Sequence, residues 1–324
     1  MASNVFPLFE PIRQELEEVE KALGRLIEES AEPLNRILNH ALLDGKRLRP
    51  SLVILSGGLF GSCGSAGPIL DLAVAVEVLH TATLIHDDIV DDARLRRGKP
   101  ALQRRFPTGV SVLAGDLLLV RAISLVSNLD CPPVSRLFLQ TIFSICEGEI
   151  EEALMPRKTA LKEQSYFRVA ELKTASLCSA ACEMAATLSG GAQSHVKALQ
   201  HFGRNLGIAF QIVDDVLDFT SDKKTLGKET GTDLRRGLVT LPAVYYLQGA
   251  GRDNPVSRYL SGAKSRRGLL EALRTIRSSG AIEASMAEAR KHVDAGRLML
   301  KELPESGPRE TLLSLADRVV DRRF

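Results

Sequence analysis

Two aspartate clusters carry the chemistry that this sequence offers. The first closes the stretch from Glu77 to Lys99, EVLHTATLIHDDIVDDARLRRGK. There an apolar run ends in Asp87, Asp88, Asp91 and Asp92, and a basic knot of Arg94, Arg96, Arg97 and Lys99 follows at once. At 3.6 residues per turn, Asp87 and Asp91 share one helical face and Asp88 lies about 100° round from Asp87. Gly98 and Pro100 predict that the helix stops near them. The carboxylates then stand toward a helix C-terminus, where the macrodipole disfavours negative charge, and they repel one another. A compensating cation is expected. Oxygen-only ligands without a thiol suit a hard ion such as Mg²⁺, which completes its shell with water and phosphate oxygens. The arginines just beyond suit a phosphate group. Taken alone, the cluster reads equally well as a solvated acidic helix end before a solvated basic loop.

A second cluster breaks that tie. In GRNLGIAFQIVDDVLDF, Asp214, Asp215 and Asp218 repeat the spacing of Asp87, Asp88 and Asp91, and Gln211 falls in the same angular arc. Two copies of Asp-Asp-x-x-Asp, each on an otherwise apolar helix, are poorly explained as two solvated faces. Two such clusters could hold several divalent ions around one diphosphate.

Three further features have weaker signals. Asp44-Gly45-Lys46-Arg47-Leu48-Arg49-Pro50 is a basic turn at a helix start, where free backbone N–H groups favour an anion; an ordinary exposed loop is the alternative. His80 lies seven residues before Asp87, so almost on the same face; a satisfied core histidine is the alternative. Lys173, followed by Thr174 and Ala175, stands on an alanine-rich face, where it either snorkels to water or meets an anion.

The elements that must position these residues are helical. Residues 10–30 read as an acidic amphipathic helix with Ile12, Leu16, Val19, Leu23 and Leu26 on one stripe. Pro33 opens a second helix to Leu43, residues 50–60 form a third, and the small-residue loop Gly61 to Pro68 leads into the long helix that carries the first cluster. Apolar helices follow over 110–129, 133–155 and 160–190, then 194–220 with the second cluster. The Gly- and Lys-rich stretch 221–242 reads as a loop closing over that cluster, and 243–324 as several amphipathic helices without a catalytic motif. No segment shows a strand pattern and no period repeats. The expected fold is all-α, one domain over 1–324, of about a dozen helices packed as a bundle.

Composition narrows the partners. The net charge of +2, with acids and bases interspersed, gives no pull toward nucleic acid or an anionic membrane, and the absence of Trp argues against a base-stacking surface. Cys63, Cys131, Cys146, Cys178 and Cys182 form no zinc or disulfide spacing and read as reduced thiols of a cytoplasmic protein. The N-terminus lacks a secretory signal pattern, and no uncharged apolar run approaches the ~20 residues that span a bilayer.

With these motifs assembled, the sequence resembles the trans-isoprenyl diphosphate synthases of the polyprenyl synthetase family. The likeness rests on Gly45-Lys46-x-x-Arg49-Pro50, His80, DDIVD at 87–91 with Arg96-Arg97, Lys173-Thr174, Phe210-Gln211, DDVLD at 214–218 and Gly227-Lys228, and it runs to TLP at 240–242. It implies an isoprenoid synthase fold, a helical bundle around a central cavity, and assembly as a homodimer. Lys46, Arg49, His80 and Arg97 match residues that bind isopentenyl diphosphate. Arg96, Lys173, Thr174, Gln211 and Lys228 match those around the allylic prenyl diphosphate. Asp87, Asp88, Asp91, Asp214, Asp215 and Asp218 match the holders of three Mg²⁺ ions. The implied reaction is head-to-tail condensation to an all-trans polyprenyl diphosphate, with the two aspartate pairs, Asp91, Lys173, Thr174, Gln211 and Lys228 as the catalytic set. One position departs: Leu238 follows Gly237 where the family often has Lys, with Arg235 or Arg236 as candidate substitutes.

In the family the growing chain passes the residues four and five before the first aspartate, here Thr83 and Ala82, then Val78 and Ala75. None is aromatic. The ~20 residues above the aspartates span about 30 Å, room for roughly six or more isoprene units. A medium- or long-chain product is expected over a geranylgeranyl or farnesyl one, with Phe138 or Phe143 as candidate floors and hand-over of the product to a membrane. A class I terpene cyclase would leave Lys46, Arg49 and Arg97 unexplained. A phosphohydrolase built on His86-Asp87 would need further histidines at metal spacing. A non-catalytic synthase subunit is expected to lack one aspartate cluster, and both are here.

Overall fold

The structure is a computed structural model that describes residues 9–42, 45–61, 67–155, 162–220, 230–262 and 265–321. Its contacts divide the chain into two compact units. One comprises Met1–Phe143, Leu177–Gly203 and Met299–Leu315; the other comprises Ser144–Ser176, Arg204–Leu298 and Ala316–Phe324. The described residues are helical almost throughout, as expected.

In the first unit, α1 (Arg13–Glu28), α2 (Leu34–Leu42) and α3 (Leu48–Gly58) pack around α4 (Pro68–Val90), which also lies along α5 (Thr108–Ser127). An element apolar on every side belongs in an interior. α4 fits that rule: Leu72, Ala73, Val76, Val78 and Leu79 are all fully or almost fully buried. By length and composition α4 and α5 could each cross a membrane, although Asp71 and Glu77 interrupt one, and Asp116 and Arg121 the other. α4 instead serves as the buried axis of this unit.

α4 ends earlier than Gly98 and Pro100 suggest. Asp92 takes a left-handed backbone, φ 50°, and stops it. The chain then forms a hairpin in which β1 (Leu95–Arg96) pairs antiparallel with β2 (Lys99–Pro100). Its two turn residues, Arg97 at φ 51° and Gly98 at φ 77°, have the positive φ values that tight hairpin turns demand. This is a correction to the strand-free expectation. Two-residue strands are too short to show alternation in sequence.

α6 (Pro132–Leu154) follows, then α7 (Glu163–Ala170), a π-turn over Glu171–Ala175, α8 (Ser176–Leu188) and α9 (Gln193–Thr220). The remaining helices are α10 (Thr232–Arg236), α11 (Leu241–Gly249), α12 (Pro255–Ser261), α13 (Arg266–Arg277), α14 (Ala281–Leu300) and α15 (Gly307–Val320). In the second unit Phe219, Leu234, Val244, Val256, Tyr259, Leu273 and Ile276 form one buried core. This core anchors the end of α9 to the helices that follow it.

Candidate active site

The first aspartate cluster falls in one unit and the second in the other, so each is built up separately. At the end of α4 the three aspartates are not equivalent. Asp88 is buried and both its oxygens are taken by Arg96: Nε lies 2.9 Å from Oδ1 and 3.1 Å from Oδ2, and Nη2 also bonds Oδ1. Asp87 and Asp91 are half-buried, one turn apart on one face. The helix end itself is capped from the turn at Leu102–Arg104. Gln103 donates to the Asp88 and Ala93 carbonyls at 2.6 and 2.9 Å, and Arg104 reaches the Asp92 carbonyl at 2.9 Å and its carboxylate. Arg96 and Arg104 supply the positive charge that an acidic helix C-terminus needs.

Two turns earlier on α4, His80 meets the basic turn. Arg49 Nη1 lies 2.9 Å from His80 Nε2. Burial, then Arg49, Arg97, Arg96 and Arg47, hold the imidazole well below its usual range, so it is neutral. A neutral ring that accepts from Arg49 at Nε2 carries its proton on Nδ1, where it can donate. Arg97 is drawn below the usual guanidinium range by withdrawal from water, opposed by Glu77 and reinforced by Arg47, Arg96 and Arg49. Lys46 is exposed on the same turn. Arg47, read in the sequence as one more cation of that turn, is turned inward instead and is 5% exposed.

The second cluster repeats the asymmetry. Asp215, 4% exposed, is the buried member, while Asp214 is exposed and Asp218 half-buried. Tyr166 donates its hydroxyl to Asp215 Oδ2 at 2.6 Å, and Gln211 Nε2 donates to Oδ1 at 2.8 Å. Thr174 in turn donates to Gln211 Oε1 at 2.6 Å. Burial pushes the Asp215 carboxyl up to about 7 against the pull of the two hydrogen bonds, with Asp214 and Glu152 adding to the rise. Asp218 accepts the Thr232 and Asp233 N–H groups, each at 3.1 Å, and so caps α10.

Lys173 and Thr174 sit in the π-turn, a wide helical turn that recurs at functional sites. Gly148 lets α6 approach it: a Cβ there would stand 2.8 Å from the Leu172 Cβ and 2.9 Å from the Lys173 nitrogen. The Glu171 carboxylate is held by Arg204 through two bonds of 2.6 and 2.8 Å. Lys173 meets anions rather than snorkelling, with Glu149 Oε2 at 2.8 Å and Glu152 Oε2 at 2.9 Å. Lys228 and Gly227 lie outside the described residues.

Both clusters therefore expose carboxylates on oxygen-only faces, a donor set that suits a hard divalent ion. Among the described residues no three His, Cys, Asp or Glu side chains converge to enclose a metal by themselves. Tyr166, Glu149, Glu152 and Arg204 carried no signal in the sequence, since nothing in their spacing links them to Asp215, Lys173 or Glu171.

Comparison with known proteins places these features in a family. The polyprenyl synthetase family model matches residues 31–275. Heptaprenyl diphosphate synthase component 2 of Bacillus subtilis (strain 168) is 33% identical over 97% of this chain and 89% of its own length. A short chain isoprenyl diphosphate synthase of Methanothermobacter thermautotrophicus is 36% identical over 90% of this chain and 91% of its own. The polyprenyl synthase of Caulobacter crescentus CB15, solved in complex with calcium and isoprenyl diphosphate, superimposes with a TM-score of 0.90 at 32% identity, covering 100% of this chain and 99% of that one. The chain belongs to the polyprenyl synthetase family, and it is a prenyltransferase.

Proposed function

We propose that this chain condenses isopentenyl diphosphate with an allylic prenyl diphosphate, with Mg²⁺, to give an all-trans polyprenyl diphosphate of medium or long chain. One observation carries the reading. The buried helix α4 carries His80, about which Arg49 of α3 and Arg97 of the hairpin gather, and at its end the carboxylate pair Asp87 and Asp91. At 1.5 Å rise per residue, the seven residues between His80 and Asp87 separate the two sites by about 10 Å along the axis. A reaction that joins two diphosphate esters needs two such sites side by side. A cyclase, acting on one diphosphate, has no use for the second.

In this reading Lys46, Arg49, Arg97 and the Nδ1–H of His80 bind the diphosphate of isopentenyl diphosphate. Asp87, Asp88, Asp91, Asp214, Asp215 and Asp218 would hold the metal, with the half-buried Asp87 and Asp91 and the exposed Asp214 offering the most open carboxylates. Mg²⁺ bound there supplies the positive charge that turns diphosphate into a competent leaving group. Arg96, Lys173 and Lys228 add hydrogen-bond donors to the same oxygens. Gln211 and Thr174, already locked to each other, present fixed dipoles to the allylic cation as the C–O bond breaks. The double bond of isopentenyl diphosphate attacks C1, and the departing diphosphate takes the proton. No protein carboxylate is needed as base.

Product length follows from α4. Ala75, Val78 and Ala82 are buried and small, and Thr83 folds back to donate to the His80 carbonyl at 2.8 Å. Of the two candidate floors, Phe138 is interior and Phe143 is 70% exposed, which removes Phe143 from that role within the subunit. Phe143 and Leu139 of α6 and Val112, Leu113 and Val120 of α5 leave apolar surface in water, which supports a homodimer. Among the described residues, Cys131, Cys178 and Cys182 are reduced thiols, which supports a cytoplasmic setting, with the product passed to a membrane. Incubation with isopentenyl diphosphate, Mg²⁺ and allylic primers of increasing length tests the proposal. Mass spectrometry should find primers extended by several five-carbon units. Primers returned unextended, or cyclised without isopentenyl diphosphate, would refute it.

A further inference from the structure

The inward turn of Arg47 separates it from Lys46 and Arg49. Its backbone is left-handed, φ 51°, which costs a residue with a side chain about 1 kcal/mol or more and reverses the direction of the side chain. Arg47 Nη1 donates to Glu77 Oε1 at 2.8 Å, Nη2 to Glu20 Oε2 and to the Leu42 carbonyl at 2.9 Å each, and Nε to Glu20 Oε1. Glu77, 2% exposed, sits on α4 one turn before His80. The pair thereby ties the basic turn to the helix that carries the rest of the site.

Gly45 is part of the same device. A Cβ at Gly45 would stand 2.6 Å from Arg47 Nη1 and 2.9 Å from Glu77 Oε1. The glycine of the Gly-Lys motif thus makes room for this ion pair. Around it the arginines Arg47, Arg49, Arg96 and Arg97 all act on His80, and such a density of cations repels itself when no anion is bound. Glu77 and Glu20 answer Arg47, and Asp88 answers Arg96; of these Glu77 is the one carried on α4 beside His80.

We infer that the buried Arg47–Glu77 pair is the positioning device of the isopentenyl diphosphate site, holding Arg49 against His80, and Lys46 on the same turn, before substrate arrives. Neither residue touches substrate. The inference rests on the assignment of that substrate to Lys46, Arg49, His80 and Arg97. Two costs are avoided by such an arrangement. The turn is not ordered at the expense of binding, and the cations are not driven apart in the empty site.

Steady-state kinetics on the full chain, with each substrate varied in turn, test it. Glu77→Gln should raise KM for isopentenyl diphosphate about tenfold, with kcat and the allylic KM within about twofold of the parent. Glu77→Asp should recover most of the loss. Because Glu77→Gln leaves a buried guanidinium poorly paired, the charge-neutral double variant Arg47→Gln/Glu77→Gln is measured beside it; it should fold by circular dichroism and still show the raised KM. A parental KM for isopentenyl diphosphate in a folded variant would overturn the inference. So would an equal rise in both KM values, or unfolding of the double variant, since the pair would then hold the fold and not the site. Lys46→Ala is the control. If it leaves the isopentenyl diphosphate KM unchanged, the substrate assignment itself has failed; if it raises that KM while Glu77→Gln does not, only the positioning inference has.

Discussion

Tyr166 donates its hydroxyl to Asp215 over 2.6 Å, and both groups are buried. The bond does two things. It satisfies a carboxylate that burial would otherwise leave costly, and it opposes the rise that burial imposes on that carboxyl. Tyr166→Phe should therefore cost about 1–3 kcal/mol of stability, read by denaturant unfolding. It should also raise Asp215 above about 7, so that a larger fraction is protonated at neutral pH. The acid limb of the kcat profile should move to higher pH and the Mg²⁺ concentration needed for half-maximal rate should increase. A superimposable pH profile would separate Asp215 from turnover.

His80 gives a prediction of opposite sign. Its imidazole is held well below the ordinary value of about 6.5, chiefly by burial and then by the surrounding arginines. Below about pH 6.5 the unfolded chain binds a proton that the folded chain refuses, so this residue lowers stability as pH falls through that window. Replacing it by Gln, which never titrates, should narrow the drop in Tm between pH 7.5 and 5.5. Between pH 6.5 and 8 the ring stays neutral, and KM for isopentenyl diphosphate should show no step from His80. A chemical-shift titration of His80 with a midpoint near 6.5 would contradict this.

The main helices and both aspartate clusters were legible because they rest on short-range regularities. Periodicity 3.6 marks α1, a continuous apolar run marks α4, and Asp-Asp-x-x-Asp is a local pattern. What escaped was pairing across distance in the chain. Glu77 is 30 residues from Arg47, and Tyr166 is 49 from Asp215, so no local spacing announces them. Arg47 was legible as a charge but not as a buried one, because its direction is set by a left-handed φ that a sequence of cations does not betray. The hairpin at Leu95–Pro100 was lost for a different reason: with two residues per strand, its only mark is Arg97-Gly98 at the turn.

The aspartates should divide by role. Asp87→Ala and Asp214→Ala remove carboxylates assigned to metal, and each should reduce kcat by about 10³-fold or more while circular dichroism stays helical. Asp88 accepts from Arg96 with both oxygens, so Asp88→Asn should act mainly through the freed arginine. Its loss in kcat should be smaller and should come with a rise in the allylic KM. Near-normal turnover of Asp87→Ala would count heavily against the metal assignment, whatever the other variants do.

Leu113 and Val120 lie 68% and 62% exposed on α5. If a second copy covers them, a buried charge at either position would face an apolar partner at a cost of several kcal/mol. Leu113→Glu and Val120→Glu should shift the protein from dimer to monomer in sedimentation equilibrium without changing its helix content. A parental protein that sediments as a monomer at micromolar concentration would end the dimer proposal directly.

Ala82 tests the route of the product. It is 2% exposed and faces the interior of the first unit from α4, five residues before Asp87. If the growing chain passes it, Ala82→Phe puts a ring where isoprene units must go, and mass spectrometry should show the product shortened by several units. If the space is close-packed protein instead, the same ring overpacks the core and costs about 1–3 kcal/mol with no shift in product length. Melting temperature and product mass together separate these outcomes: a shorter product from a protein of near-parental Tm places the chain beside α4. A destabilised enzyme that still makes the parental product would show that it runs elsewhere, and the length argument built on Ala75, Val78 and Ala82 would fall with it.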